Sequence, residues 1–473
     1  MRRSAGTTRG LQVYGPLYRS VIFPVWESRY RGRSTLDHLE YLRASEWSSP
    51  GELAAIQAAE LGRLLRHAYA HVPLYRERFD AAGVSPDDIR TPADLALLPL
   101  LTRANAQEAG PRRRSLAPPF PTIAKRTSGS TGQPLEFAYD EESEWWRQAV
   151  RMRGYGWAGY RQGDRTLHLW GFRPAAAGKS LSWRIVDRIW VSTDRMLRHE
   201  YWADSNLRSA EHFARVVALI RRKRPRTIVC YAQGGAELAR YVVATGARTW
   251  GTIPVLCGAE KLFPDDRRSL EEAFGQAIFE TYGNREVMLI ATECELHRGL
   301  HVQAENVVVE VVVRDEAAGS ERPARPGEVG EVVLTDLHNL GMPFIRYVVG
   351  DLATAADGTP CPCGRGLPML ADVVGRTADT LVDGNGQEVG GMALMTLFVE
   401  LASVVRQYQA VQRRDRSITL RLVATTAFDA VARARIAEHC QHYLPGIPVS
   451  VELVDEIPLA PSGKRRFIIV ENE

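Results

Sequence analysis

At 473 residues the chain exceeds what one hydrophobic core usually supports, so a large domain with at least one smaller companion is expected. Its 45% hydrophobic and 25% charged content matches the average of soluble globular proteins and excludes a disordered chain. A formal charge of +4, from 60 basic and 56 acidic residues, gives no strong electrostatic case for nucleic acid as a partner.

The longest apolar runs fall well below the ~18 residues of a transmembrane helix, and the N-terminus lacks a signal-peptide core with its cleavage site. Neither membrane spanning nor secretion is therefore expected. Six cysteines are too few for a disulfide framework. Cys361 and Cys363, one residue apart, suit metal or redox chemistry better, and a reducing, cytoplasmic setting fits. Lysine occurs only at Lys125, Lys179, Lys223, Lys261 and Lys464 among cations that are otherwise arginine, which raises the question of what arginine could not do there.

In chain order, Ser49 and Pro50 read as an N-cap and first helical residue. The apolar stripe from Leu53 through Leu61, Leu64, Leu65 and Ala68 then predicts a core-facing helix. Pro-punctuated loops and one short amphipathic helix follow over 72–99. From Thr122 onward, apolar runs at 166–170, 227–230 and 253–256 alternate with helical patterns near 206–222 and 236–245. Such alternation predicts α/β layers around a largely parallel sheet. The β-rich runs 307–313 and 330–335 predict an antiparallel or barrel-like appendage, and 417–423, 429–442 and 449–454 a compact α+β unit. The expected division is a large N-terminal domain of layered α/β sheets over 1–376 and a small α+β C-terminal domain over 377–473.

Thr127, Ser128, Gly129, Ser130, Thr131 and Gly132 lie between a short apolar run and the β-like segment 135–139, which predicts a hairpin-like loop. Hydroxyl donors and two glycines suit close backbone approach to phosphate oxygens; the alternative is a flexible Ser/Gly turn. It is not a Walker loop, because no lysine stands in it.

This loop resembles the signature of adenylate-forming enzymes, the acyl-CoA synthetase and luciferase superfamily. Further segments match in order: Tyr282-Gly283-Asn284-Arg285-Glu286, then Arg346-Tyr347 with Gly350-Asp351, then Gly375-Arg376 with Asp379, and finally Pro461-Ser462-Gly463-Lys464. The segments at 72–76, 361–365 and 407–412 resemble the phenylacetate-CoA ligase-like branch, nearest its capsule-biosynthesis-type and deazaflavin-adenylating members. The resemblance implies a small mobile C-terminal lid whose Lys464 completes the active site. It also implies adenine binding at Tyr282 and Gly283 and beside Gly258, Ala259 and Glu260, ribose binding by Asp351 and Arg376, and magnesium at Glu286.

The chemistry agrees with these roles. A carboxylate attacking the α-phosphate brings two anions together, so cations and donors must stand where charge develops. Lys464 can be such a point charge, Asp351 can accept from two vicinal hydroxyls, and the Glu286 carboxylate suits Mg2+ as a hard cation. Each residue taken alone reads sooner as a surface lysine, a turn aspartate or a surface carboxylate. Arg285 stands where the wider superfamily has threonine and reads either as added anion stabilisation or as a structural salt bridge. Ala378 replaces the hinge residue common in relatives. Trp170, Gly171 and Phe172 end a strand and could line the acyl pocket, although aromatics there are more often core.

Cys294, Cys361 and Cys363 with a histidine, His301 in preference to His297, form a set that suits tetrahedral zinc, which some relatives with this Cys-x-Cys-Gly pattern hold structurally; the alternative is free thiols in loops. The expected activity is ATP-dependent activation of a carboxylic acid, followed by transfer to CoA or another thiol, amine or hydroxyl acceptor. Adenylylation of a phenol-like hydroxyl and a non-catalytic nucleotide-binding scaffold are the alternatives, and a homodimer is compatible with all three.

Overall fold

The computed structural model describes the chain apart from residues 1–12, 127–134, 172–180, 206, 208, 316–319, 377–379, 383, 385–387, 391–393, 395–396, 399–400, 402, 459–466 and 472–473. The helix Pro50–His71 begins as expected. The Ser49 hydroxyl accepts from the Glu52 amide while the Ser49 amide donates to the Glu52 carboxylate at 2.7 Å, a reciprocal cap that satisfies two otherwise orphan donors. Leu61, Leu64, Leu65 and Ala68 fall on one face and are fully buried against Phe137 and the segment around Phe344 and Tyr347.

Strands β1 (Thr122–Arg126) and β2 (Glu136–Asp140) pair as an antiparallel hairpin that flanks residues 127–134. The main sheet follows from β3 (Thr166–Trp170), β4 (Glu200–Asp204), β5 (Thr227–Tyr231), β6 (Val255–Gly258) and β7 (Ile278–Asn284). It continues with β8 (Met288–Glu293), β9 (Leu300–Val302), β10 (Val307–Asp315), β11 (Ser320–Pro323), β12 (Val329–Asp336), β13 (Tyr347–Ala355) and β14 (Met369–Arg376). These twelve strands run in the order β11-β10-β12-β13-β14-β9-β8-β7-β6-β5-β3-β4. β4, β3, β5, β6 and β7 are parallel, linked by helices such as Ala210–Lys223 and Pro264–Phe274. Within this sheet the pairings among β7 to β14 are all antiparallel, so the β-rich part is joined edge to edge to the parallel part.

The helix after β5 spans Ala232–Ala244, starting earlier than the expected 236, because Gly234 and Gly235 lie inside it. A Cβ on Gly234 would stand 2.2 Å from the Ser205 hydroxyl, and one on Gly235 2.5 Å from the Cys230 sulfur. Close approach to the sheet outweighs glycine's poor helix propensity here. A buried ion pair secures the N-terminal segment: Arg153 on the helix Glu141–Trp157 grips Glu305 at 2.6 and 2.7 Å and donates to the Leu42 carbonyl at 2.8 Å. Ser45 donates to the same carboxylate at 2.5 Å.

The C-terminal part holds a hairpin, β15 (Thr380–Val382) with β16 (Glu388–Gly390), and a separate four-stranded sheet. That sheet, in the order β19-β18-β17-β20, comprises β17 (Val405–Gln412), β18 (Ile418–Ala424), β19 (Val449–Leu453) and β20 (Ile468–Val470). With the helix Ala430–Tyr443 it encloses its own core around Leu397, Phe398, Tyr408, Leu420 and Ile436. The ring centroids of Phe263 and Phe467 stand 6.3 Å apart across the two parts.

Candidate functional site

In an open parallel sheet, ligands bind beyond the carboxyl ends of the strands where the chain order reverses. Here that edge is formed by the ends of β3, β5, β6 and β7, at Trp170, Tyr231, Gly258 and Asn284. Trp170 stacks edge-on against Tyr231 at 4.5 Å, and a Cβ on Gly171 would meet the Tyr231 hydroxyl at 2.7 Å. Phe172, the third residue expected in the acyl pocket, lies outside the described residues.

Gly258 is equally confined, since a Cβ there would stand 2.6 Å from the Thr281 hydroxyl. Ala259 then takes a left-handed φ of 66°, turning the chain so that Glu260 accepts from the Gln233 amide at 3.2 Å. Gly283 admits no side chain, because its Cβ would lie 2.0 Å from the Met288 carbonyl. The turn into β8 is closed by Asn284, whose side-chain oxygen accepts from the Val287 amide at 2.9 Å.

Two carboxylates are held near this turn by tyrosine hydroxyls. Tyr282 donates to Asp351 at 2.9 Å, both side chains being buried. Tyr347 donates to buried Glu286 at 3.5 Å. Burial and the Glu286 charge raise the Tyr347 pKa, so the phenol remains a donor. Arg103 hydrogen-bonds the same tyrosine. The register of β13 and β14 sets Asp351 opposite Arg376. Arg285 is exposed, and its charge acts on Tyr139 of β2 and Tyr231 of β5. Asp351, Glu286 and Tyr282 are thus brought together with the Gly258-to-Glu260 turn on one rim. Thr127 to Gly132 and Lys464 lie outside the described residues, as do Ala378 and Asp379.

Sequence reading missed the Tyr347 hydroxyl, because tyrosine beside a matched arginine reads as core. It singled out Lys261 as one of few lysines but gave it no role; Lys261 forms an ion pair with Asp372 and sits beside Glu280. The scarcity of lysine was the available signal.

Cys294 follows β8, His301 lies in β9, and Cys361 and Cys363 precede β14. The four ligand atoms fall within 4.8 Å of one another, with Cys294 and Cys361 sulfurs 3.8 Å apart and Cys363 sulfur 3.4 Å from His301 Nε2. His297 instead meets Glu293 at 3.2 Å. Three sulfurs and one imidazole at this spacing, largely buried, fit a closed tetrahedral zinc site. Arg365 beside it stacks between Trp47 and Trp157 and pairs with Glu46 and Glu295.

The fold is one shared with adenylate-forming enzymes. A family described as the CapK C-terminal domain matches residues 381–471. A phenylacetate-coenzyme A ligase of Thermus thermophilus is 28% identical over 382 residues, covering 78% of this chain and 80% of that protein. Protein CapK of Staphylococcus aureus is 22% identical over 353 residues, covering 73% and 74%. Among solved structures, 2-hydroxyisobutyryl-CoA ligase in its postadenylation state shares the fold with a TM-score of 0.67 at 20% identity, over 90% of this chain and 91% of that one. These likenesses bear out the resemblance to the adenylate-forming superfamily and, within it, to the phenylacetate-CoA ligase-like branch with its capsule-biosynthesis members.

Proposed function

We propose that this AMP-forming enzyme activates a carboxylic acid, aryl or acyl, as its adenylate and passes the acyl group to CoA or another nucleophile. The observation that carries the reading is the pair of buried carboxylates, Asp351 and Glu286, each oriented by a tyrosine hydroxyl at the carboxyl rim of a parallel sheet. A carboxylate oxygen of the acid attacks the α-phosphorus of ATP, and the bond to pyrophosphate breaks. Asp351 and the Arg376 position receive the ribose, while Tyr282-Gly283 and Gly258 to Glu260 form the adenine wall. Residues 127–132 receive the phosphates. Glu286 supplies the oxygen donor for Mg2+, whose charge neutralises the phosphates. Arg285 and Lys464 stabilise the developing negative charge.

In this reading residues 1–376 form the catalytic body and 377–473 the lid that brings Lys464 to it. The Cys294, His301, Cys361 and Cys363 set holds a structural zinc, with no open position for water. The test is pyrophosphate release screened over aryl, fatty and amino acids, with products identified by mass spectrometry with and without CoA. Acid-dependent release supports the proposal. AMP joined to a hydroxyl would replace it with adenylyl transfer, and ATP binding without release would leave a scaffold.

A further inference from the structure

Residues 13–30 are helical, with wide π-type turns at Tyr18–Ile22 and Val25–Tyr30. One face is buried through Tyr18 and Phe23. The opposite face is apolar too: Val13, Leu17, Val21 and Val25, spaced by four, are 63%, 46%, 50% and 53% exposed. Trp26 and Tyr30 continue it with rings stacked at 4.9 Å.

A second exposed apolar face adjoins the first. The helix Leu181–Leu197 presents Ile189, Trp190, Met196 and Leu197 to solvent, at a spacing that keeps them on one side. Its end touches the N-terminal helix where the Tyr14 hydroxyl donates to the Leu197 carbonyl at 2.6 Å. The two helices, each with an uncovered apolar side, therefore meet at Tyr14 and Leu197. Apolar surface of this kind, bounded by charge, marks an interaction site.

Charge identifies the occupant. The first 33 residues carry seven arginines and one glutamate, more positive charge than the formal +4 of the whole chain. The glutamate, Glu27, is buried and accepts from Thr35, whereas Arg29 and Arg31 are exposed beside Trp26 and Tyr30. An apolar helix face flanked by arginine and by an interfacial Trp/Tyr pair is the pattern of a helix lying in a bilayer surface. A second copy docking across a twofold axis would set like charges against each other.

We propose that this surface docks the enzyme peripherally on an anionic lipid bilayer, with the stripe from Val13 to Val25 entering the headgroup boundary and Arg29 and Arg31 facing the lipid phosphates. Among the described residues no helix is long and apolar enough to cross a membrane, so the contact is superficial. The test is sedimentation of the full chain with phosphatidylcholine vesicles, with and without phosphatidylglycerol, at low and high salt. Binding is expected only with the anionic lipid, falling at least about tenfold in high salt or in Arg29→Glu/Arg31→Glu. It should be lost in Val21→Asp/Val25→Asp, whose thermal stability stays unchanged because both side chains are exposed. Absence of binding, or equal binding to neutral vesicles, overturns the proposal. So does a concentration-dependent dimer dissolved by Val21→Asp/Val25→Asp, which would make a second copy the occupant.

Discussion

Removing one preorganised cation from a site where charge develops typically costs two to three orders of magnitude, so Lys464→Ala is expected to slow adenylate formation by about 10²–10³-fold. Acyl transfer from presynthesised adenylate should suffer less, and equal losses in both steps would make Lys464 structural. Asp351→Ala removes the proposed acceptor of two ribose hydroxyls and should raise KM for ATP by about tenfold or more, with kcat less affected. An unchanged KM would assign Asp351 to holding Tyr282 alone. Glu280, buried on β7, has its pKa raised by burial to about 7 from an ordinary 4.5, with Lys261 opposing the rise. A carboxyl with a raised folded pKa binds more protons folded than unfolded, so its contribution to stability falls as pH rises from about 4.5 to about 7. Glu280→Gln should therefore be more stable than the parent by on the order of 2 kcal/mol at pH 8, with the difference shrinking toward pH 5. Urea denaturation at the two pH values checks this, and a pH-independent difference would point to packing instead.

At the scale of elements, the Cys/His set joins the end of β8, strand β9 and the loop before β14, three segments separated by up to 69 residues between Cys294 and Cys363. A metal there would close long loops, and its binding free energy would be folding free energy. Cys361→Ser with Cys363→Ser is expected to abolish stoichiometric zinc in protein purified without an affinity tag and to lower Tm by at least about 4 °C. Absence of zinc from the parent, or zinc unaffected by the substitutions, would mean reduced thiols. The same loop leans on the N-terminal helices through Gly366, whose amide donates to the Glu46 carbonyl at 3.0 Å. A Cβ on Gly366 would lie 1.9 Å from the Ser48 carbonyl, so even alanine requires the backbone to shift.

Across the whole molecule, the Arg153 and Glu305 pair connects the first helices, the helix Glu141–Trp157 and the segment before β10. Both side chains are 1% exposed. Breaking such a pair leaves an unpaired buried charge, so Arg153→Met should destabilise the fold by about 3–5 kcal/mol. Replacing Glu305 with glutamine in the same chain should recover part of that loss, which a merely steric effect of methionine would not allow. The ion pair of Lys261 with Asp372 ties the turn after β6 to β14, close to where the proposed lid begins at residue 377.

Local order was legible wherever a short-range rule decided it. The Ser49 cap, the strand Thr166–Trp170 and the C-terminal α+β unit follow from capping chemistry and periodicity, which depend only on neighbours along the chain. The motifs around Tyr282 and Asp351 could be picked out only through their resemblance to the adenylate-forming enzymes, whereas the cysteines around Cys361 pointed to metal chemistry by their type. Tertiary structure alone decided the continuity of twelve strands into one sheet, since strand pairing between distant segments leaves no local signature. It also decided which histidine joins the cysteines: β9 pairs with β14 at His301 and Met369, while His297 is drawn to Glu293. The Gly234-Gly235 helix and the Tyr347 contact to Glu286 depended on it too, because a close approach or a hydroxyl partner exists only once remote strands have met.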